Sequence, residues 1–241
     1  MKVVFVGPTI PDAVQMAGEP FVIRPPAMQG DILRAVRGGA TAIGLIDGNF
    51  EYAAPVWHKE ILFALSEGAE VFGAASMGAL RAAECAAFGM IGVGEIYRQY
   101  AAGEIVDDSD VALLHAPKEL RYAPLTIPLV NVRATLLGLT RQLSLAATDA
   151  ERIEQSATAL FYKERTWPAI VACARLARDC DKAALTAKLR AQYVDQKRAD
   201  ALELLDALRG RPCQRRAPNR EWEFHSTSLW KTLLGQREAS G

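Results

Sequence analysis

The feature that most constrains this chain is an alternation of short apolar runs with segments of helical periodicity between Lys2 and Ala74. The runs are rich in β-branched residues, end at Gly, Pro or Asp turns, and span 2–7, 20–25, 42–47 and 70–74. The segments between them with a helical pattern cover 11–16, 28–36 and 55–67. Strands that alternate with helices form a parallel sheet with right-handed crossovers. We therefore predict an α/β fold with a parallel sheet core of about four to five strands flanked by helices.

The middle of the chain continues this pattern less regularly. Helical periodicity covers 76–88 and 94–102, and each of these segments stops at a glycine. An acidic turn follows, with Asp107, Asp108 and Asp110, before a strand-like segment at 111–117. The acidic turn lacks the full calcium-loop pattern, so we expect it to be solvated and no metal to bind there.

The chain changes character beyond residue 148. Periodic segments rich in Ala, Leu and charged residues cover 149–165, 166–177 and 181–208 and predict a helical bundle. The basic stretch 209–220 is typical of an exposed linker, and the aromatic segment 222–234 must dock on some surface. We therefore expect an α/β core at 1–148, a helical bundle at 149–208, and a basic linker with an aromatic docking tail at 209–241.

Charge and cysteine content narrow the class of protein. Lys plus Arg and Asp plus Glu number 28 each, so the chain lacks the positive field of proteins that bind nucleic acid or anionic membranes. Its apolar stretches are too short to span a bilayer, and its first residues lack the pattern of a secretion signal. The cysteines have no C-x-x-C spacing, which argues against a disulfide scaffold or a zinc site. We expect a cytoplasmic protein.

Ser76 is the strongest candidate for chemistry. It stands between a predicted strand and a predicted helix, flanked by small residues, as in the sharp turns that expose a nucleophile. The free N–H groups of Met77 and Gly78 at the helix start would then form an oxyanion hole. The alternative is that Ser76 is only the N-cap of the helix, where serine is a preferred residue. The residues leave both interpretations open.

Residues from the other strand ends are expected near Ser76, because ligands collect beyond the carboxyl ends of parallel strands. They are Thr9 after the first run, Gln29 after the second, and Asp47 and Glu51 after the third. Asp47 is the strongest of these, since it stands directly at a strand end and precedes a glycine.

Two further residues, His58 and Lys59, stand where the next helix is expected to begin. The helix dipole there favours the neutral form of a histidine, which is the form that a general base needs. The alternative is a solvated, polar helix start.

The helix after Ser76 carries further candidates. Arg81 and Glu84 lie three residues apart, so they either reach a ligand or pair with each other. Cys85 is either a thiol that carries a persulfide or a small apolar residue. The sequence has no P-loop, and we expect no cofactor.

Several segments together resemble the TfuA family. They are VFVGPT, PPAMQGDI, GLIDGNFE, VWHKEILFAL, VFGAASMGALRAAE, FGMIGVGEIY and DDSDVALLHAP, and they are spread from Val4 to Pro117. The later segments FYKERTW and YVDQKRADALELL are similar to family features but less specific.

The resemblance implies an accessory role beside YcaO enzymes, which use ATP to activate a peptide-backbone amide so that sulfide replaces its oxygen. Such accessory proteins act in the maturation of ribosomal peptide natural products and of methyl-coenzyme M reductase. They are thought to help deliver sulfur, with a ThiS-type carrier protein that ends in a thiocarboxylate as the source. The implied partners are the YcaO enzyme, the carrier and, indirectly, the precursor peptide, while homo-oligomerisation is left open.

The resemblance and the residue pattern together give a mechanistic hypothesis. Ser76 attacks the carrier thiocarboxylate, bisulfide is expelled, and hydrolysis of the acyl-serine restores the protein. His58 or Lys59 is the base and Asp47 the orienting carboxylate. The substrate-binding set is Met77, Gly78, Arg81, Glu84, Thr9, Gln29 and Glu51. The alternatives are a non-catalytic scaffold or allosteric activator that docks YcaO and the sulfur donor, and a sulfurtransferase that carries a persulfide on Cys85.

Overall fold

The computed structural model of the protein describes residues 1–18, 20–49, 53–178, 180–217 and 222–235. Within these residues the centre is a five-stranded sheet of β1 (Lys2–Phe5), β2 (Phe21–Arg24), β3 (Ala42–Leu45), β4 (Glu70–Ala74) and β5 (Ile91–Val93). The strand order is β2-β1-β3-β4-β5, and all neighbouring strands are parallel. The predicted α/β class, with helices around a parallel sheet and a helical C-terminal region, is confirmed.

The helices fall into two groups along the chain. The first group alternates with or directly follows the strands: α1 (Ala13–Ala17), α2 (Asp31–Arg37), α3 (His58–Ser66), α4 (Met77–Cys85) and α5 (Glu95–Ala101). The second group comes later: α6 (Leu129–Arg141), α7 (Ala147–Ala159), α8 (Trp167–Cys173), α9 (Lys182–Ala191), α10 (Gln196–Arg209) and α11 (Ser228–Gly235). No helix in the described part of the chain has both the length and the apolar character needed to cross a membrane.

The two faces of the sheet are covered by different parts of the chain. On one face, α2, α3 and α4 pack against β1, β3 and β4 through buried residues such as Ile32, Ile61 and Ala82. On the other face, α10 packs Leu204 and Leu208 onto the strands. Burial of these side chains removes apolar surface from water, which is the main force that holds the helices to the sheet. Helix α10 is thus part of the sheet core, although it lies far along the sequence.

A second core lies among the later helices. It is formed by α6, α7, α8 and α9, with Leu136, Ile153, Trp167 and Leu189 among its buried side chains. This helical layer already begins with α6 at Leu129. The segment predicted as one helical stretch at 181–208 is two helices, and side-chain caps from Asp181 and Asp195 start them.

The segment 111–117 is not the strand that its sequence suggests. Its only ladder contact among the described residues is an isolated antiparallel bridge between His115 and Pro124. The Leu114 N–H donates to Thr126 Oγ1 at 2.7 Å, and the Val111 carbonyl accepts from Lys197 at 2.8 Å. Its other backbone bonds, such as Ala116 N–H to Ala123 O and Leu125 N–H to Leu114 O, join it to 123–126 in a short hairpin. The segment therefore forms a wall at the carboxyl edge of the sheet instead of a further strand.

The C-terminal segments fold back on the same chain. Arg216 N–H donates to Gly68 O at 2.8 Å, and the Arg215 guanidinium donates to Val36 O at 2.5 Å. Beyond them, the buried Trp230 lies with its ring centroid 5.3 Å from that of Phe63 on α3. The aromatic segment therefore docks on its own chain.

Candidate active site

The turn between β4 and α4 is strained. The Ser76 N–H donates to Ala74 O at 2.8 Å, which closes a γ-turn around Ala75, and the φ of Ala75 is 66°. A γ-turn with positive φ is rare, and a non-glycine residue held there costs about 1–3 kcal/mol. Ser76 follows at the N-cap position of α4, but its side chain makes no capping hydrogen bond. Its hydroxyl is therefore free for a role other than capping.

The partner of the Ser76 hydroxyl is Lys197. The Lys197 Nζ lies 3.0 Å from Ser76 Oγ and donates to Val111 O at 2.8 Å. Both side chains are buried, with 6% of Ser76 and 2% of Lys197 exposed. Burial lowers the pKa of Lys197, because desolvation penalises the ammonium form, and the charge of Asp47 acts in the opposite direction.

Lys197 is positioned by the first turn of α10. Its backbone N–H donates to Asn131 Oδ1 at 3.1 Å, and Asn131 Nδ2 donates to Asp195 Oδ1 at 2.9 Å. Asn131 belongs to α6 and is itself buried. The start of α10 is thus held by a side chain of the helical layer, and this contact directs Lys197 toward the sheet edge.

Asp47 ties the end of β3 to the loop after β1. Its Oδ2 accepts from Gly7 N–H at 2.9 Å and from Thr9 N–H at 3.0 Å, and its Oδ1 accepts from Thr9 Oγ1 at 2.6 Å. The strand order reverses between β1 and β3, and a crevice for ligands is expected at this switch point. Thr9 therefore fixes the Asp47 carboxylate, and Asp47 lies at the crevice with the serine–lysine pair.

A cavity of about 190 Å³ contains this pair. It lies at the carboxyl edge of the sheet and is lined by the loops after β1 to β4 and by residues 111–115 of the wall segment 111–117. Tyr162, from the turn between α7 and α8, and Lys197 of α10 complete the lining. Its lining consists of Pro8, Pro26, Asp47, Gly48, Asn49, Ser76, Val111, Ala112, Leu113, Leu114, His115, Tyr162 and Lys197. The cavity suits a narrow chain end or a small anion.

The structure brings Thr9, Asp47 and Ser76 together, whereas His58 and Lys59 have other partners. The His58 Nε2 lies 2.7 Å from Glu84 Oε2. Lys59 donates to the backbone carbonyl of His225 and places its ammonium 4.7 Å from the ring centroid of Phe224. Neither residue lines the cavity of Ser76.

Arg81 and Glu84 pair with each other, at 2.6 Å between Arg81 Nη1 and Glu84 Oε2. They line a different cavity of about 450 Å³, together with Asp107 and Asp108. Gln29 donates its backbone N–H to Ala54 O at 2.9 Å, which ties two rim loops together. Glu51 lies outside the described residues.

The N–H groups of Met77 and Gly78, which were predicted to form an oxyanion hole, differ in their hydrogen-bond partners. Gly78 donates its N–H to Ile46 O at 3.1 Å, and a methyl group at this position would collide with Leu45 O. The glycine therefore serves the close approach of α4 to the end of β3. The Met77 N–H has no acceptor within the described part of the chain, and it is the donor that remains for a bound anion.

Cys85 lies on the inner face of α4. Only 1% of it is exposed, and burial raises the pKa of its thiol to about 11. The thiolate is the reactive form of cysteine, so a buried thiol of this kind is inert at neutral pH. The geometry gives the persulfide hypothesis no support.

Sequence reasoning missed Lys197, although a signal for it exists. Lys197 precedes Ala201, Leu204, Leu205 and Leu208 at helical spacing on the buried stripe of α10. A lysine that continues an apolar stripe must either reach water along the surface or find a buried partner. It also lies within YVDQKRADALELL, one of the segments that resemble the family.

These features define the class of protein. It is an α/β protein whose candidate site, a buried serine–lysine pair, lies in a cavity at the carboxyl edge of a parallel sheet. The family model described as TfuA-like protein matches residues 47–166, and the chain belongs to this family. At family level this connects the protein with an accessory role in thioamidation and with YcaO-type systems. The match contains Asp47 and Ser76 and ends before Lys197. No curated protein matches the chain.

Proposed function

We propose that the protein releases sulfide from a thiocarboxylated ThiS-like carrier protein and so supplies YcaO-dependent peptide-backbone thioamidation in ribosomal peptide maturation. The observation that carries this proposal is the 3.0 Å contact between Ser76 Oγ and Lys197 Nζ inside the cavity. A buried lysine with a lowered pKa is able to act as a general base. Serine–lysine pairs replace the serine–histidine pair in some hydrolases.

The reaction has two stages. In the first, Ser76 Oγ bonds to the thiocarboxylate carbon while its proton passes to Lys197 Nζ and then to the sulfur, and the C–S bond breaks to release bisulfide. In the second, water adds to the acyl carbon and the C–O bond to Ser76 breaks, which gives a carrier carboxylate, the free serine and one proton. No redox step is needed.

The surroundings of Ser76 fit an anionic, narrow substrate. The thiocarboxylate would lie at the N-terminus of α4, where the helix dipole and the Met77 N–H favour negative charge. The cavity of about 190 Å³ accepts the extended end of a chain but not a folded domain. We therefore place only the C-terminal tail of the carrier inside, with its folded part against the cavity mouth.

The test is sulfide release from thiocarboxylated carrier mixed with this protein alone, without YcaO. We expect release by the wild type, a loss of about 10³-fold or more with Ser76→Ala, and a loss of about 10²- to 10⁴-fold with Lys197→Met. Lys231→Met, at an exposed position on α11, is the matched control and should keep wild-type activity.

Other outcomes would overturn this proposal. A wild-type protein that releases no sulfide but still stimulates thioamidation by YcaO would be a scaffold or an allosteric activator. Loss of activity with Cys85→Ala but not with Ser76→Ala would instead identify Cys85 as the nucleophile, with a thioester in place of the acyl-serine.

A further inference from the structure

His115 is a further group with acid–base capability in the cavity of Ser76, and it has no role in the proton transfer from Ser76 to Lys197. It stands in the wall segment and is half-buried. Its Nδ1 lies 2.8 Å from the carbonyl oxygen of Ala116. A carbonyl oxygen only accepts hydrogen bonds, so Nδ1 carries the proton and Nε2 holds the lone pair of the neutral ring.

The orientation of His115 is fixed by the hairpin that carries it. Ala116 N–H donates to Ala123 O at 2.9 Å, and the ring of Tyr122 packs edge-on against the imidazole with centroids 5.6 Å apart. The hairpin loop holds two consecutive non-glycine residues, Arg121 and Tyr122, at φ of 54° and 53°. Such backbone conformations persist only where the surroundings enforce them, and they concentrate at functional sites.

The two basic side chains of the cavity differ in their access to water. The amine of Lys197 is almost fully buried, lies against the serine oxygen and is held by Val111 O. It lines the same cavity as His115 and is placed to take the proton of Ser76. His115 is half-buried on the cavity wall and keeps a free lone pair at Nε2, which has no partner among the described residues.

We infer that His115 is the general base that activates water to hydrolyse the acyl-Ser76 intermediate. This inference rests on the proposed function. Water oxygen bonds to the acyl carbon while one water proton moves to His115 Nε2. The bond from carbon to Ser76 Oγ then breaks, Oγ takes the remaining water-derived proton from the new carboxyl group, and the product leaves as a carboxylate. The imidazolium returns its proton to solvent, which restores the starting state.

Because His115 is assigned a role only in the second stage of the reaction, His115→Gln should slow that stage and leave the first unchanged. With thiocarboxylated carrier in excess, this variant should release a burst of about one equivalent of sulfide and then turn over at least about 10²-fold more slowly than the wild type. Intact-mass spectrometry should show a covalent adduct of carrier and protein, and the second substitution Ser76→Ala should abolish it. The exposed His225→Gln is the matched control and should turn over like the wild type without an adduct.

The outcomes distinguish this inference from the function on which it rests. If the wild type releases no sulfide, the proposed function fails. If the wild type is active and His115→Gln turns over at the same rate, only the role of His115 is overturned. A His115→Gln protein that gives no burst also overturns it, provided that its thermal unfolding matches the wild type, because the defect would then lie before the acyl-serine.

Discussion

At the scale of single residues, the site depends on placing a lysine where lysines are rarely found. Lys197 is 2% exposed, and its amine has only the Ser76 hydroxyl and the Val111 carbonyl as hydrogen-bond partners within the described residues. Burial of an ammonium group is unfavourable, so the group shifts toward its neutral form. The neutral amine is the form that accepts a proton from serine, and burial therefore links stability to chemistry.

This link makes the stability of the protein depend on pH in a defined direction. The pKa of Lys197 is lowered from 10.5 in the folded state, so between the lowered value and 10.5 the unfolded chain binds more protons than the folded one. The free energy of unfolding of the wild type should then rise with pH across this window relative to Lys197→Met. Urea unfolding of both proteins between about pH 6 and about pH 9 measures the difference. Parallel curves would show that Lys197 keeps its ordinary pKa.

The sequence predicted part of the site for a physical reason. Thr9, Asp47 and Ser76 each follow a strand of a parallel sheet, and the carboxyl ends of such strands lie at one edge. Lys197 is 121 positions from Ser76 and arrives on a helix whose packing partner the sequence does not specify. His58 and Lys59 find partners 26 and 166 positions away, which no local pattern discloses.

At the scale of elements, the β4–α4 turn holds Ser76 at the sheet edge because α4 begins very close to the end of β3. Gly78 allows this approach, since a side chain there would meet the backbone of Leu45. The γ-turn at Ala75 and the bond from Gly78 N–H to Ile46 O then fix the direction of the helix. The position of the Ser76 hydroxyl follows from these backbone contacts.

Gly78→Ala should therefore damage both stability and activity. We expect the free energy of unfolding to fall by about 2–4 kcal/mol, because the backbone of Leu45 cannot move away as a flexible side chain would. Sulfide release should fall as well, because α4 and Ser76 would be displaced. Gly210→Ala, where an added methyl group meets no atom within 4 Å, is the control and should change stability little. Equal melting temperatures for the two variants would contradict the close packing.

The elements themselves were predictable to different degrees. Strands β1 to β4 are β-branched runs between clear turn residues, and they lie within the predicted spans. β5 is three residues long and contains a glycine, so its sequence carries little strand signal. The wall segment 111–117 has the composition of a strand, but it pairs only with 123–126 in a short hairpin, and side chains bind two of its backbone groups. Only the tertiary structure decides this.

At the scale of the whole molecule, the C-terminal region completes the fold in two places. Helix α10 covers one face of the sheet and supplies Lys197, and α11 covers a patch on α2 and α3. In that patch Trp230 is 2% exposed and packs with Phe63, Phe224 and Leu33. The first role places a residue in the cavity, whereas the residues of the patch do not line it, so we expect the second role to bear on stability alone.

Substitutions on α11 should separate these roles. Trp230→Ala removes a fully buried aromatic side chain and should lower the free energy of unfolding by about 3–5 kcal/mol. The neighbouring Leu229 is 63% exposed, and Leu229→Ala should change stability little. At temperatures where both variants are folded, sulfide release should match the wild type. A selective loss of activity in folded Trp230→Ala would show that the tail also supports the site.

The distance along the chain between Ser76 and Lys197 also sets the order in which the two halves of the candidate site are made. A ribosome-bound chain exposes Ser76 and most of the sheet long before α10 has been made. Until then one sheet face is uncovered and Ser76 lacks the Lys197 amine as its hydrogen-bond partner. If the protein acts as we propose, a chain that stops before α10 would therefore be unable to discharge the carrier.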